Sequence, residues 1–292
     1  MLDLQDRIIG CIVGGAIGDY WGMPYEGAVG PIEAPFPSVS IISDDTQLTL
    51  ATCEAIVESG TVTPEAVAQG LTRWFCAGKV TGIGSSTLKA LRDLALGAPW
   101  TISGASGERS AGNGAAMRIA PVAFCCDPLS DAGRHLIRDI CWITHRHDEA
   151  YVGALAVAAA IARPGRDSLG TLVGELPDSN CRDRLAALVE TGEHLAIAAL
   201  GTKFGVSGYV ADSVPLAIYA ARRVGKLGFR EVLGSVIACG GDTDTMGAIT
   251  GQIAGAALGR KGLPGDLVDR VPGIDAIAET AEGFARTVRQ MR

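Results

Sequence analysis

The chain predicts a single all-α, multi-helix domain spanning residues 1–292, and three observations carry the prediction. Hydrophobic residues recur at helical spacing nearly throughout. Alternating β-branched runs flanked by hairpin turns are missing, and the best strand candidate, residues 39–42, is too short to build a sheet. Short breaks rich in Gly, Pro, Ser or Thr punctuate the helical pattern, as the connections of a helix bundle do. In chain order, Ile8, Ile12 and Ala16 make the first apolar stripe, and Leu48, Ala51 and Ala55 the second. Leu136, Ile140 and Ile143 follow, then Leu155, Ala159 and Ala162, then Leu185, Leu188, Val189 and Leu195. The breaks fall at residues 60–64, 97–107, 163–170, 201–208 and 259–265. Aromatic residues make up only 5% of the chain, so alanine and 39 glycines on helix faces must let backbones approach closely to fill the core.

Composition narrows the function classes. A hydrophobic fraction of 48% against 20% charged excludes intrinsic disorder. The formal charge is −7, from 25 basic and 32 acidic side chains, with no Lys/Arg run, so no nucleic-acid partner is expected. The longest apolar stretches, residues 8–18 and 152–162, are 11 residues each. A bilayer needs ~20, so no membrane span is expected. The opening Met1-Leu2-Asp3-Leu4-Gln5-Asp6 lacks the positive flank of a signal peptide. The eight cysteines form no C-x-x-C pair, which argues against zinc and makes a reducing, cytoplasmic setting the expectation.

Two acidic corners stand out: Ser43-Asp44-Asp45-Thr46 and Asp242-Thr243-Asp244-Thr245. An apolar helical pattern follows each, so each sits where a helix begins. N-capping is the bland explanation, since Asp, Ser and Thr are preferred caps and the helix dipole favours negative charge there. A cap needs one side chain, whereas each corner offers two carboxylates. The other explanation is a metal site: two aspartates and a hydroxyl from each corner are six hard oxygen donors, suited to Mg²⁺ or Mn²⁺. An EF-hand fails, because Met246 and Ile253 occupy the fifth and twelfth positions from Asp242. A P-loop fails for want of Gly-Lys-Ser/Thr.

Beyond the corners, six segments in order resemble the ADP-ribosylglycohydrolase family, which includes the dinitrogenase-reductase-activating glycohydrolases and the ADP-ribosyl-acceptor hydrolases of animals. They are GCIVGGAIGD from Gly10, SDDTQLTLA from Ser43, GNGAAMRIAPVA from Gly112, ITHRHDEAYVGA from Ile143, GYVADSVPLAIYAARR from Gly208 and GGDTDTMGAITGQIAGA from Gly240. The resemblance implies an all-helical domain with two Mg²⁺ or Mn²⁺ ions between helix N-termini, held by Ser43, Asp44, Asp45, Asp242, Asp244 and Thr245. Thr46 and Thr243 would hold the helix turns. It implies a substrate in which ADP-ribose is joined to a protein side chain through arginine or serine. Small conjugates such as O-acetyl-ADP-ribose are the alternative. Water would attack the anomeric carbon of the distal ribose, through a transition state resembling an oxocarbenium ion. Glu26, Asp44, Asp45 and Asp242 are the catalytic candidates, with Glu26 also matching a glutamate that gates the site in some members.

The same resemblance assigns Ser110, Gly112, Asn113 and Gly114 to the diphosphate and distal ribose, with free N–H groups ahead of an apolar helix as the physical basis. His145 matches a histidine near the diphosphate or ribose, and Tyr209 would line the nucleotide pocket. His147 reads as surface and Asp212 as the cap of the following helix. Three departures stand against the match. Only 16 residues, 27–42, separate Glu26 from Ser43, and three are proline, which argues against a gating glutamate. Ala111 replaces a tyrosine that packs on adenine in some animal members, leaving Trp100 as a substitute or as core. Serine replaces threonine at position 43. Two rival readings remain: a non-catalytic ADP-ribose-binding or structural member, and a two-metal phosphohydrolase using Arg118 or Arg146 against phosphate.

Overall fold

A computed structural model describes residues 2–163, 168–191 and 195–292 and is all-α, as the periodicity predicts. Local signals start many of the helices. Ser43, Thr63, Ser130 and Ser168 each accept a backbone N–H from the first turn that follows them. Pro64 at the first helical position adds its fixed φ to the Thr63 cap.

Two helices form the centre, Leu4–Gly22 and Thr243–Leu258. Residues 8–22 of the first and 243–256 of the second are buried on every face, which marks core helices rather than amphipathic surface ones. Their contact is built from glycine at every fourth position. Gly10, Gly14, Gly18 and Gly22 face Gly255, Gly251, Gly247 and Thr243 in antiparallel order. A Cβ at any of these seven glycines would fall under 3.0 Å from the opposing backbone. The backbones therefore touch directly, and any larger side chain would hold them apart. Around this pair pack Asp44–Ser59, Asp148–Ala162, Val210–Ala221 and Ile274–Gln290. Because the central helices are antiparallel, the C-terminal end of the first lies beside the N-terminal end of the second.

The structure corrects several local expectations. Residues 39–42 form no strand, and the sheet among the described residues is a parallel pair of two-residue strands, Ala105–Ser106 and His145–Arg146. The helix Ile197–Phe204 runs into the expected break at 201–208, and the break at 97–107 contains the short helix Trp100–Ser103. Of the break at 163–170, residues 164–167 lie outside the described residues. Val189 and Leu195 are exposed, and the helix Asn180–Thr191 ends before Leu195, so the fifth stripe is shorter than its spacing implied. Trp100 is half-buried, packs against the core and donates to Glu65 at 2.8 Å; it does not line the cleft described below. Among the described residues no helix is long and apolar enough to cross a membrane.

Replacing Gly251 by alanine forces a methyl into the Gly14 backbone. The expected loss of unfolding free energy is about 3 kcal/mol, by overpacking against atoms that cannot move independently. Gly174→Ala, at an exposed helical site with nothing within 4 Å, is the control. It should be neutral or stabilising by under about 1 kcal/mol. Urea midpoints of the two variants check the pair, and equal midpoints would refute the direct backbone contact.

Candidate active site

Both acidic corners start helices, as the apolar patterns behind them predict, and the central glycine contact brings them together. At the first corner Ser43 is the N-cap of Asp44–Ser59; its Oγ accepts from Asp45 N at 3.3 Å and donates to Asp45 Oδ2 at 3.2 Å. The Ser43 hydroxyl is engaged with the cap and with the Asp45 carboxylate, and it does not line the cleft. Thr46 does not hold its own helix turn either. Its N–H and hydroxyl both donate to Asp19, which also accepts from Ser43 N at 3.0 Å. Asp19 lies near the C-terminal end of the first central helix, is fully buried, and anchors the whole first corner to that helix. Sequence reasoning missed it, although it is the one charged side chain between Ile8 and Gly22.

At the second corner Gly240 and Gly241 both have positive φ, 75° and 77°, and turn the chain sharply into Asp242. Asp242 occupies the N-cap position of Thr243–Leu258 but makes no capping bond. Its Oδ2 instead accepts from Asn113 Nδ2 at 2.6 Å. Capping thus explains Ser43 and fails for Asp242. Thr243 donates to the Gly22 carbonyl at 2.9 Å, tying the corner to the first helix. Thr245 Oγ1 donates across to Asp45 Oδ2 at 3.3 Å, which joins the two corners directly. Glu26 completes the group: one oxygen each from Glu26, Asp242 and Asp244 lie within 4.8 Å of one another. The start of the short segment that argued against a gating role for Glu26 is pinned to the second corner. Gly27 N donates to Gly241 O, and Gly241 N to Ala28 O, both at 2.8 Å.

These carboxylates perturb one another strongly. Burial, followed by the neighbouring Asp19 charge, pushes Asp44 up to about 7. Burial and then Asp242 raise Asp244 to about 9. Asp45 rises well above the ordinary range through burial and then Asp244, and Asp19 rises to about 6 through burial. Glu26 is raised by burial and then by Asp242. Asp45 Oδ1 is buried with no hydrogen-bond partner among the described residues. A buried acceptor without a donor, inside a cluster of acids that raise one another, is what a divalent cation would satisfy. The donor set of Asp44, Asp45, Asp242, Asp244, Thr245 and Glu26 fits such a cation.

The corners form one end of a cleft of about 770 Å³. Glu108, Arg109, residues 111–114, His145, Ser207, Gly208 and Tyr209 line the remainder, with Ser85–Thr87 on the adjoining wall. Gly112, Gly114, His145 and Tyr209 all line this cleft. Among the described residues no acceptor takes the Gly112 or Gly114 N–H, so both are free for an anion. No regular helix follows directly: turns run to Ile119 before the short helix Ala120–Ala123.

Other calls move. Ser110 is buried and does not line the cleft. Asn113 lines it, but its amide donates to Asp242 and to Ser213 at 3.0 Å, and its N–H to Gly208 O, so it braces the second corner. Arg118 is wholly buried and Arg146 lies over the Trp142 ring, so neither reaches the cleft wall. Arg109 is the cation on that wall, and nothing in its local sequence marked it. Asp212 makes no cap; it accepts from Arg184 and Ser207. His147 is half-buried and caps Asp148–Ala162. All eight cysteines are free, and most are buried.

The sequence pattern of the family described as ADP-ribosylglycohydrolase matches residues 1–292. The chain belongs to the ADP-ribosylglycohydrolase family. It is 30% identical to an uncharacterized protein of Archaeoglobus fulgidus, over 87% of this chain and 88% of that one. It is 28% identical to an ADP-ribosylarginine hydrolase of Pseudomonas putida, over 95% and 77%. A solved ADP-ribosylglycohydrolase-related protein complex superposes with a TM-score of 0.72 at 26% identity, covering 98% of this chain and 99% of that one. Membership makes this a glycohydrolase acting on ADP-ribose, and the carboxylate cluster is consistent with the metal dependence of the family.

Raised carboxyl pKa values set the sign of a pH dependence. The folded state holds protons that the unfolded chain releases near pH 4, so metal-free stability falls as pH rises through about 7 for Asp44 and about 9 for Asp244. Thermal melts in chelator should show a lower Tm at pH 8.5 than at pH 5.5, with Mg²⁺ or Mn²⁺ restoring it at the higher pH. A Tm that rises with pH in chelator contradicts the clustering. Asp19→Asn, which turns an amide against three donors, should cost about 1–3 kcal/mol of stability and weaken the metal effect.

Proposed function

We propose that this protein hydrolyses the bond joining ADP-ribose to a modified protein side chain, with two Mg²⁺ or Mn²⁺ ions held between the acidic corners. The observation that carries this reading is the meeting of carboxylates from three distant segments, Glu26, Asp44–Asp45 and Asp242–Asp244, at one end of a cleft whose other end offers neutral donors. A volume of about 770 Å³ is in the range that encloses ligands of nucleotide size.

Asp44, Asp45, Asp242 and Asp244 would hold the ions, with Thr245 and Glu26 beside them. Bound there, the metals supply Lewis-acid activation and orient the ribose hydroxyls. The chain's own groups do the rest. Asn113 and Thr245 keep Asp242 and Asp45 in place through their hydrogen bonds. Gly112 N–H, Gly114 N–H, His145 and Arg109 receive the diphosphate, which puts the distal ribose at the corners. Glu26 is the most exposed carboxylate of the group, and burial together with Asp242 already raises its proton affinity. Glu26 would accept the proton of the attacking water and return it to the acceptor atom as that atom departs. The remaining carboxylates oppose the positive charge that develops at the anomeric carbon as the acceptor bond breaks.

Release of free ADP-ribose from arginine-linked and serine-linked peptides, with Mg²⁺, Mn²⁺ or chelator, tests the reading. Metal-dependent release from one peptide is expected. Asp242→Asn and Asp44→Asn should each lower kcat by about 10²–10³-fold or more. Silence on both peptides with turnover of O-acetyl-ADP-ribose would move the substrate to small conjugates. AMP and ribose-5-phosphate as products would mean a phosphohydrolase, and tight ADP-ribose binding without turnover a binding protein.

A further inference from the structure

Arg118 has no place in the chemistry above, yet it is among the largest fully buried side chains of the protein. Among the described residues no carboxylate pairs with it. Burying a guanidinium without an ion-pair partner is costly, and an apolar side chain would fill the same space at no such cost. What it does make is specific. Its Nη2 donates to the Ile140 carbonyl at 3.2 Å and to Thr144 Oγ1 at 2.8 Å. Thr144, also fully buried, stands 2.9 Å from Nδ1 of His145 through the same oxygen.

Proton counting then decides the tautomer. Arginine can only donate, so Thr144 Oγ1 accepts from it. The hydroxyl keeps one proton, and among the described residues its remaining partner is His145 Nδ1. If Nδ1 carried a proton instead, the Thr144 hydroxyl hydrogen would be buried without an acceptor. Nδ1 therefore accepts, and the ring proton resides on Nε2. Burial, with the Arg118 charge adding to it, pushes His145 down to about 3, so the ring is neutral and has one N–H to offer. Nε2 has no partner within the described protein and faces the glycines of the anion end: a Cβ at Gly114 would stand 3.2 Å from it, and one at Gly112 also 3.2 Å. The main chain of His145 is held as well, by its pairing with Ala105.

We propose that Arg118 is a positioning residue which, through Thr144, locks His145 in the Nε2–H tautomer so that it presents a neutral donor to a diphosphate oxygen in the cleft. The identity of the anion rests on the function proposed above; the tautomer does not.

The test uses the full chain labelled with ¹⁵N-histidine. Long-range ¹H–¹⁵N spectra report which ring nitrogen is protonated, and His145→Gln identifies the signals among the four histidines. In ligand-free wild type, a protonated Nε2 and bare Nδ1 are expected. Thr144→Val and Arg118→Met should each give mixed or Nδ1–H signals, whereas Thr144→Ser, which keeps the hydroxyl, should restore the wild-type pattern. By calorimetry with ADP-ribose, Thr144→Val should weaken binding about ten-fold and Thr144→Ser by less than about two-fold. Wild type with Nδ1 protonated overturns the assignment, and that measurement needs no variant to fold. A Thr144→Val protein that loses the tautomer yet binds ADP-ribose like wild type overturns the donor role. Failure of wild type to bind ADP-ribose overturns the function reading and, with it, the diphosphate as His145's partner; the spectrum still decides the tautomer.

Discussion

The helix Leu4–Gly22 runs against Thr243–Leu258 at backbone contact, and the candidate site depends on that distance. The antiparallel register puts Gly22 beside Thr243, whose hydroxyl donates to the Gly22 carbonyl. One turn back, Asp19 holds Ser43 and Thr46. Both acidic corners are thus tied to the same three-residue reach of one helix, although they lie some 200 positions apart in sequence. A side chain larger than hydrogen at any glycine of this contact would separate the helices, and the corners with them.

That arrangement concentrates negative charge in a buried place, which is unfavourable for the protein alone. The proton affinities of Asp44, Asp45 and Asp244 rise as a result, and Asp45 keeps a buried oxygen with no hydrogen-bond partner among the described residues. Stability and function pull against each other here. The rigid glycine-faced core, together with the Asn113 and Thr245 cross-links, keeps the acids close despite their repulsion. A bound cation converts the same repulsion into affinity.

The opposite end of the cleft follows another rule. It carries one charge of each sign, Glu108 and Arg109, among unpaired backbone N–H groups and a neutral imidazole. Neutral donors bind an anion without drawing it toward the carboxylates by net charge, and so set position more than attraction. Asn113 joins the two ends, since it belongs to the anion loop while its amide grips Asp242.

Helix content, the positions of both acidic corners at helix starts, and the grouping of Gly112, Gly114 and His145 in one cleft were legible in the sequence because each rests on short-range regularities: hydrophobic period, cap residues and contiguous motifs. The family likeness carried the metal assignment that spacing alone left open. What the sequence could not decide was which oxygen or nitrogen faces the cleft. Ser43 is engaged with its cap and Asp45, Ser110 turns inward, Asn113 braces an aspartate, and Glu26 joins the acids beside a 27–42 segment whose start is pinned to Gly241. Asp19 and Arg118 act through partners 24 to 27 residues away, and 22 to 26 residues away, respectively. Side-chain direction is set by neighbours brought in from other helices, and hydrogen-bond partners at such separations leave no mark on local pattern. The sequence by itself determined the helices and the residues available for chemistry; the tertiary structure decided which of them share a cavity.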